Sequence, residues 1–236
     1  MSTTAISIPD SLWYHGHEVG SENPGQFITL EGIEGSGKSR QLKRLEEELK
    51  RLEFSFVTAQ EPGGTSFGEE VRQVLLRRDG AGREPEAELL LYLADRIQHL
   101  KQVIEPALEK GLHVICDRYH DATLAYQGHA RGIGFDLIDR MAEILELRIP
   151  DLTLVLDLDV KLGLNRAILR NKKKDQEKWG RFEAEALSFH QKVREGYQCL
   201  SQREPERVLL VDASGDPEAV FEKILVLIRQ HDLLKE

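Results

Sequence analysis

Cysteine is nearly absent: Cys116 and Cys199 are the only two in 236 residues. Two thiols build no disulfide framework and offer no metal-ligand spacing, so the expectation is a reduced, cytoplasmic chain. No run approaches the ~18 apolar residues of a membrane span. The N-terminal residues have neither a basic region nor a continuous apolar stretch, which argues against a secretory signal. Positive charge is in deficit: 32 Lys and Arg against 41 Asp and Glu leave a formal net charge of −9. The chain as a whole is therefore not drawn to nucleic acid or to anionic membranes, and an anionic substrate requires a locally basic site. There is no internal repeat and nothing that demands a second domain, since this length suits one sizeable α/β core.

What is present is organised around Gly32-Ile33-Glu34-Gly35-Ser36-Gly37-Lys38-Ser39, between the apolar run Phe27-Ile-Thr-Leu30 and a strongly helical segment. It fits G-x-x-x-x-G-K-[ST], a phosphate-binding loop in its required strand-before, helix-after context. Glycines let the backbone come close to a polyanion, and the loop N–H groups form an anion nest at a helix N-terminus. Lys38 is expected on the β- and γ-phosphates of a nucleotide, and the Ser39 hydroxyl on Mg²⁺.

Residues 1–24 read as a flexible extension, with His15 and His17 solvated rather than metal-bound. Residues 25–236 form the single domain. Leu42, Leu45, Leu49 and Leu52 recur at helical spacing. Phe54–Ala59 reads as a strand closed by the turn cluster Glu61-Pro-Gly-Gly64. A helix over Gly68–Arg78, a longer one from Pro85 to a stop at Gly111, and the buried strand His113-Val-Ile-Cys116 follow. Further helices are expected over Tyr119–His129 and Phe135–Leu147, then the strand Leu152–Asp157 and a helix over Lys161–Leu169. The polar run Arg170–Lys178 reads as mobile. A helix over Phe182–Leu200, the strand Val208–Val211 and a last helix from Pro217 complete the chain. This alternation predicts a parallel sheet with helices on both faces, binding ligands at the strand carboxyl ends.

Asp117 ends an apolar strand, where a phosphate-loop protein places the carboxylate that holds Mg²⁺; capping the next helix is its plainer role. Phosphoryl transfer calls for several convergent cations, and Arg96, Arg118 and Arg181 are the candidates. Arg96 interrupts an apolar helix one turn from Tyr92, so the pair could hold an acceptor's phosphate and stack on its base. Asn171-Lys-Lys-Lys-Asp175 is one residue too long for the guanine-reading N-K-x-D. Asp117-Arg-Tyr119 imitates a membrane-receptor signature in a chain without membrane helices.

Taken together, Glu31-Gly-Ile-Glu-Gly-Ser-Gly-Lys-Ser39, Glu61-Pro-Gly-Gly-Thr65, Leu91-Tyr-Leu-Ala-Asp-Arg96, Asp117-Arg-Tyr119 with Ala125-Tyr-Gln-Gly128, Pro150-Asp-Leu-Thr153 with Leu156-Asp157, and Arg181-Phe-Glu183 resemble the bacterial thymidylate kinases from about Gly25 onward. The resemblance implies a three-layer P-loop kinase fold with a five-stranded parallel sheet, helices on both faces and a mobile lid at about 170–182. It also implies ATP and dTMP as substrates, dTDP as product, Mg²⁺ as cofactor and a homodimer. By it, Lys38 and Ser39 serve ATP and Mg²⁺, and Glu34 sits near the acceptor's 3′-hydroxyl. Pro62 belongs to the acceptor site, Arg96 holds the acceptor phosphate, Tyr92 stacks on thymine and Thr123 faces the base. Tyr126 fills the space of a ribose 2′-hydroxyl, Asp117 organises Mg²⁺ and water, and Arg118 approaches the phosphates. The loop lacks the arginine some members carry, so the lid must supply it, with Arg181 the best match and Arg170 a lesser one. Three departures stand out: Gln60 for an arginine, Ala122 for a serine beside the base-reading residue, and Gly180 for an aspartate. They keep two alternatives in view, a kinase for another (deoxy)nucleoside monophosphate and an inactive nucleotide-binding paralogue.

Overall fold

The computed structural model describes residues 14–15, 25–77, 83–173, 181–182 and 185–231. In chain order they form β1 (Tyr14–His15), β2 (Phe27–Glu31), α1 (Lys38–Arg51), β3 (Phe56–Gln60), α2 (Ser66–Leu76), α3 (Pro85–His99), α4 (Glu105–Glu109), β4 (His113–Asp117), α5 (His120–Thr123), α6 (Phe135–Ile144), β5 (Leu152–Asp157), α7 (Val160–Lys173), α8 (Leu187–Arg203), β6 (Val208–Asp212) and α9 (Pro217–Gln230). Two π-helical stretches, Leu100–Ile104 and Leu124–Ala130, bridge α3 to α4 and prolong α5. The long helix expected from Pro85 is thus continuous, with a wide turn inside it.

Five strands run parallel, as expected; their order is β3-β4-β2-β5-β6, and β1 adds an antiparallel edge. Tyr14 pairs with Val57 and His15 with Phe56, so two residues of the N-terminal extension join the sheet. The rest of residues 1–24, and the side chains of His15 and His17, lie outside the described residues. The central strands are apolar because helices cover both of their faces. Phe27, Ile28, Leu30, Val114, Ile115 and Cys116 are wholly buried. Where a polar residue enters this layer it is paired: the Thr29 and Thr153 hydroxyls meet at 2.8 Å, and Asp121 accepts two hydrogen bonds from Arg207.

Register is what positions the site. Leu30 lies opposite Asp117 on β4, and Gln60 on β3 faces the same Asp117. The carboxyl ends of β2, β3 and β4 therefore finish level, delivering the phosphate-binding loop, Glu61-Pro62 and Asp117-Arg118 to one edge. The loop fits against α7 with no room to spare. Gly35 adopts φ +73°, and a Cβ there would stand 2.0 Å from the Gly163 carbonyl oxygen.

One boundary differs from expectation. The polar run from Arg170 begins as helix, since α7 continues to Lys173. Composition argued for a loop there, but Lys and Arg are good helix formers. Residues 174–180, and with them Gly180, lie outside the described residues.

Deleting residues 1–24 removes a two-residue ladder from an edge strand and none of the described buried core. The truncated chain is expected to keep its kcat and to melt within a few degrees of the full-length chain by calorimetry. A collapse in either quantity would make the extension part of the fold.

Candidate active site

The phosphate-binding loop leaves β2 and enters α1 through Gly37, whose φ of +103° supplies the left-handed turn. Lys38 opens the helix, and its Nζ folds back to donate to the carbonyls of Gly32 at 2.9 Å and Ile33 at 3.2 Å. Burial, aided by nearby Arg118, lowers the Lys38 ammonium to about 8. Beside it Ser39 Oγ stands 3.5 Å from Asp117 Oδ2, while Asp117 Oδ1 is buried without a hydrogen-bond partner among the described residues. Two hard oxygens with spare lone pairs, next to a phosphate cradle, fit Mg²⁺, which takes few protein ligands and completes its shell with phosphate and water.

One residue beyond β4, Arg118 has φ +71°, a conformation that L-residues adopt rarely. Its N–H donates to the Leu30 carbonyl at 3.1 Å. The guanidinium donates to Glu34 Oε1 at 3.1 Å and to the Tyr197 hydroxyl at 3.3 Å, and lies over the Tyr126 ring. Glu34 Oε1 also accepts from the Tyr126 hydroxyl at 2.7 Å. Burial pushes the Glu34 carboxyl up, but His190 and Arg118 outweigh it and hold it at about 2. Burial dominates at Glu31, raised to about 7 although Arg118 opposes the shift.

Arg96, on α3, is 1% exposed and makes three hydrogen bonds. Nε donates to Glu61 Oε2, Nη1 to Thr123 Oγ1 and Nη2 to the Tyr119 carbonyl, each at 2.9 Å. A guanidinium has five N–H groups, so one on each Nη is left over. Glu61 Oε1 meets His99 Nδ1 at 2.9 Å. Asp95, next to Arg96, accepts from the Gly63 N–H at 3.0 Å and keeps Oδ2 unpartnered. Burial, with Glu61 nearby, raises its carboxyl to about 8.

These groups surround one cavity of about 500 Å³, large enough for a nucleotide-sized ligand. Of the expected residues, Glu34, Gly35, Lys38, Ser39, Pro62, Tyr92, Arg96, Asp117, Arg118, Thr123 and Tyr126 line it. Gly32, Ile33, Ser36 and Gly37 complete the loop beneath. Arg181 does not line it. Its guanidinium pairs with buried Glu88, donates to the Leu75 carbonyl at 3.3 Å and lies over Phe182. Phe182 and Arg170 line the cavity in its place, as do Ala122 and Gln60.

Sequence reasoning passed over Glu61, Arg72 and His190. In the sequence Glu61 stands only as part of a turn cluster and a family motif, and Arg72 is not singled out. Arg72 lines the cavity and donates to the Pro62 carbonyl at 2.5 Å. No local pattern marks His190, which reaches Glu34 from α8.

A phosphate-binding loop at the carboxyl end of a central strand of a parallel sheet, facing buried Arg96 across one cavity, defines a P-loop kinase of the nucleotide-phosphorylating class. The thymidylate kinase family model matches residues 30–224, and the chain belongs to that family. It is 48% identical to the thymidylate kinase of Syntrophotalea carbinolica over 84% of this chain and 92% of that protein. It is 46% identical to that of Pelobacter propionicus, over 89% and 96%. The crystal structure of thymidylate kinase from Ehrlichia chaffeensis superposes with a TM-score of 0.69 at 29% identity, covering 87% of this chain and all of that one.

Asp95 generates a prediction about stability. Its folded value of about 8 lies above an unfolded value near 3.8, so the unfolded chain gives up this proton first. Stability present at low pH is therefore lost between pH ~4 and ~8. Asp95→Asn removes that loss while its carbonyl still accepts from Gly63. Melting at pH 5, 6.5 and 8 is expected to show a variant advantage that widens with pH to several degrees; a constant offset would contradict a neutral Asp95.

Proposed function

We propose that this chain transfers the γ-phosphoryl group of ATP to dTMP, giving dTDP for dTTP synthesis. The observation that carries the reading is one cavity lined by five cations, Lys38, Arg72, Arg96, Arg118 and Arg170, in a chain of net charge −9. Such a site suits two phosphate-bearing ligands brought end to end. Phosphoryl transfer asks little covalent chemistry of a protein and much positioning and charge stabilisation.

On this reading the loop from Gly32 to Ser39 cradles the ATP phosphates, and Lys38 leaves its carbonyl partners to follow the β- and γ-oxygens. Ser39 and Asp117 would hold Mg²⁺, which when bound would supply positive charge to offset that of the phosphates. The two remaining N–H groups of Arg96 take the acceptor phosphate, with the guanidinium held in place by Glu61. Arg118, tethered to Glu34, approaches the transferring group. Glu34 faces the acceptor's 3′-hydroxyl, and Tyr126 closes the space behind the sugar. Tyr92, Pro62 and Thr123 enclose the base. Arg181 is committed to Glu88, so we assign it to holding the chain that returns from the lid, and the lid's phosphate-facing cation to Arg170. Closure of that segment excludes water that would otherwise hydrolyse ATP.

Two further assignments follow the family. Phe67 and Val74 on α2 and Leu90 on α3 are exposed apolar side chains, which supports a homodimer that covers them. Cys116 and Cys199 are free thiols, in keeping with a cytoplasmic enzyme, and no helix among the described residues is long and apolar enough to cross a membrane. The second reading, another monophosphate as acceptor, is favoured by Ala122, a cavity-lining residue without a polar group.

An ADP-release assay with ATP, Mg²⁺ and dTMP, dUMP, dCMP, dAMP, dGMP or UMP is expected to show clear preference for dTMP. Preference for another member would move the substrate, and silence on all six would indicate an inactive paralogue. Lys38→Ala should lower kcat by ~10²-fold or more with little change in the KM for dTMP. Arg96→Lys keeps the charge beside Glu61 but loses the planar fork, so the KM for dTMP should rise about tenfold. An unaltered KM would take Arg96 out of the acceptor site.

A further inference from the structure

Helix α8 carries His190, Arg194 and Tyr197 at the four- and three-residue spacing of one helical face, where they meet Glu34, Asp157 and Glu31 respectively. Two of the three are satisfied. Tyr197 donates to Glu31 Oε2 at 2.7 Å and accepts from Arg118, and Arg194 grips Asp157 with two hydrogen bonds of 2.6 and 2.8 Å. His190 is the exception. It is 0% exposed, and neither ring nitrogen makes a directional hydrogen bond among the described residues. Its Nδ1 lies 3.2 Å from Glu34 Oε2, the one carboxylate oxygen there without a partner. The other oxygen is saturated by Arg118 and Tyr126. A purely structural role at this position, edge-on to the Phe189 ring, would be met by an apolar side chain without the cost of burying an unbonded imidazole.

We propose that His190 is a positioning residue for Glu34: with its proton on Nδ1, the imidazole donates to Oε2 and fixes the carboxylate so that its spare lone pair meets the acceptor's 3′-hydroxyl. Arg118 and Tyr126 then hold Glu34 from one side and His190 from the other. The inference rests on the placement of Glu34 at the acceptor sugar given above.

The test compares kcat/KM for dTMP with that for 3′-deoxythymidine 5′-monophosphate, in the full-length wild-type enzyme and in His190→Leu and His190→Asn. The wild type is expected to prefer dTMP. His190→Leu should cut that preference about tenfold by raising KM for dTMP alone. His190→Asn, whose amide N–H can occupy the place of Nδ1, should restore most of it. An unchanged preference in His190→Leu, or no rescue by Asn, overturns the proposal; a wild type without preference overturns the Glu34 placement itself. A readout independent of any variant's folding is the ¹⁵N spectrum of the His190 ring in the dTMP complex. A ring carrying its proton on Nδ1 is expected, and a ring protonated only on Nε2 would refute the assignment.

Discussion

The hydrogen bond from the Arg118 N–H to the Leu30 carbonyl carries the β2–β4 ladder one residue beyond its regular end, and the site hangs on that extension. To make it, Arg118 must take a left-handed backbone conformation, which costs an L-residue on the order of 1 kcal/mol. The strain is offset by what the turn achieves. It aims the guanidinium back toward the phosphate-binding loop, where Glu34, Tyr126 and Tyr197 receive it. Asp117, one residue earlier, is left facing Ser39. A β4 that ended one residue sooner or later would send both charges to the wrong face of the sheet.

Within the cavity, cations and carboxylates serve as each other's counter-ions. Arg96 is paired with Glu61 and Arg118 with Glu34, while Lys38 lies on backbone carbonyls. Buried charges require such partners, and removing one member leaves the other stranded. The arrangement offsets the cost of gathering several cations in one place. It also separates two kinds of cation. Arg96 holds three protein partners and still has surplus N–H groups, whereas the partners of Lys38 are two loop carbonyls.

Most of the fold was legible in the sequence because its determinants are local or periodic. The loop spacing from Gly32 to Ser39, the apolar runs of β2, β4 and β5, and the helix stop at Gly111 each depend on neighbours in the chain. The carboxyl-end placement of Asp117 followed from strand length alone. What could not be read depends on partners far away in sequence. Arg181 looked like a free lid arginine because nothing near it announces Glu88, which sits on α3. His190 and Tyr197 resembled ordinary residues of an amphipathic helix until the sheet brought Glu34 and Glu31 beneath them. The start of the lid was misjudged for a different reason, since a lysine-rich stretch signals solvent exposure and α7 shows that an exposed segment can still be helical.

The contact between Gly35 and Gly163 has a bearing on how sequence can vary here. A Cβ on Gly163 would stand 2.6 Å from the Glu34 carbonyl oxygen, just as one on Gly35 would strike Gly163. Neither position can acquire a side chain without prising α7 away from the loop, and no compensating change at the other can help, because each already lacks the atom that would have to be removed. The phosphate-binding loop and α7, the helix that carries Arg170, thus meet main chain to main chain, with no side chain between them to act as a cushion.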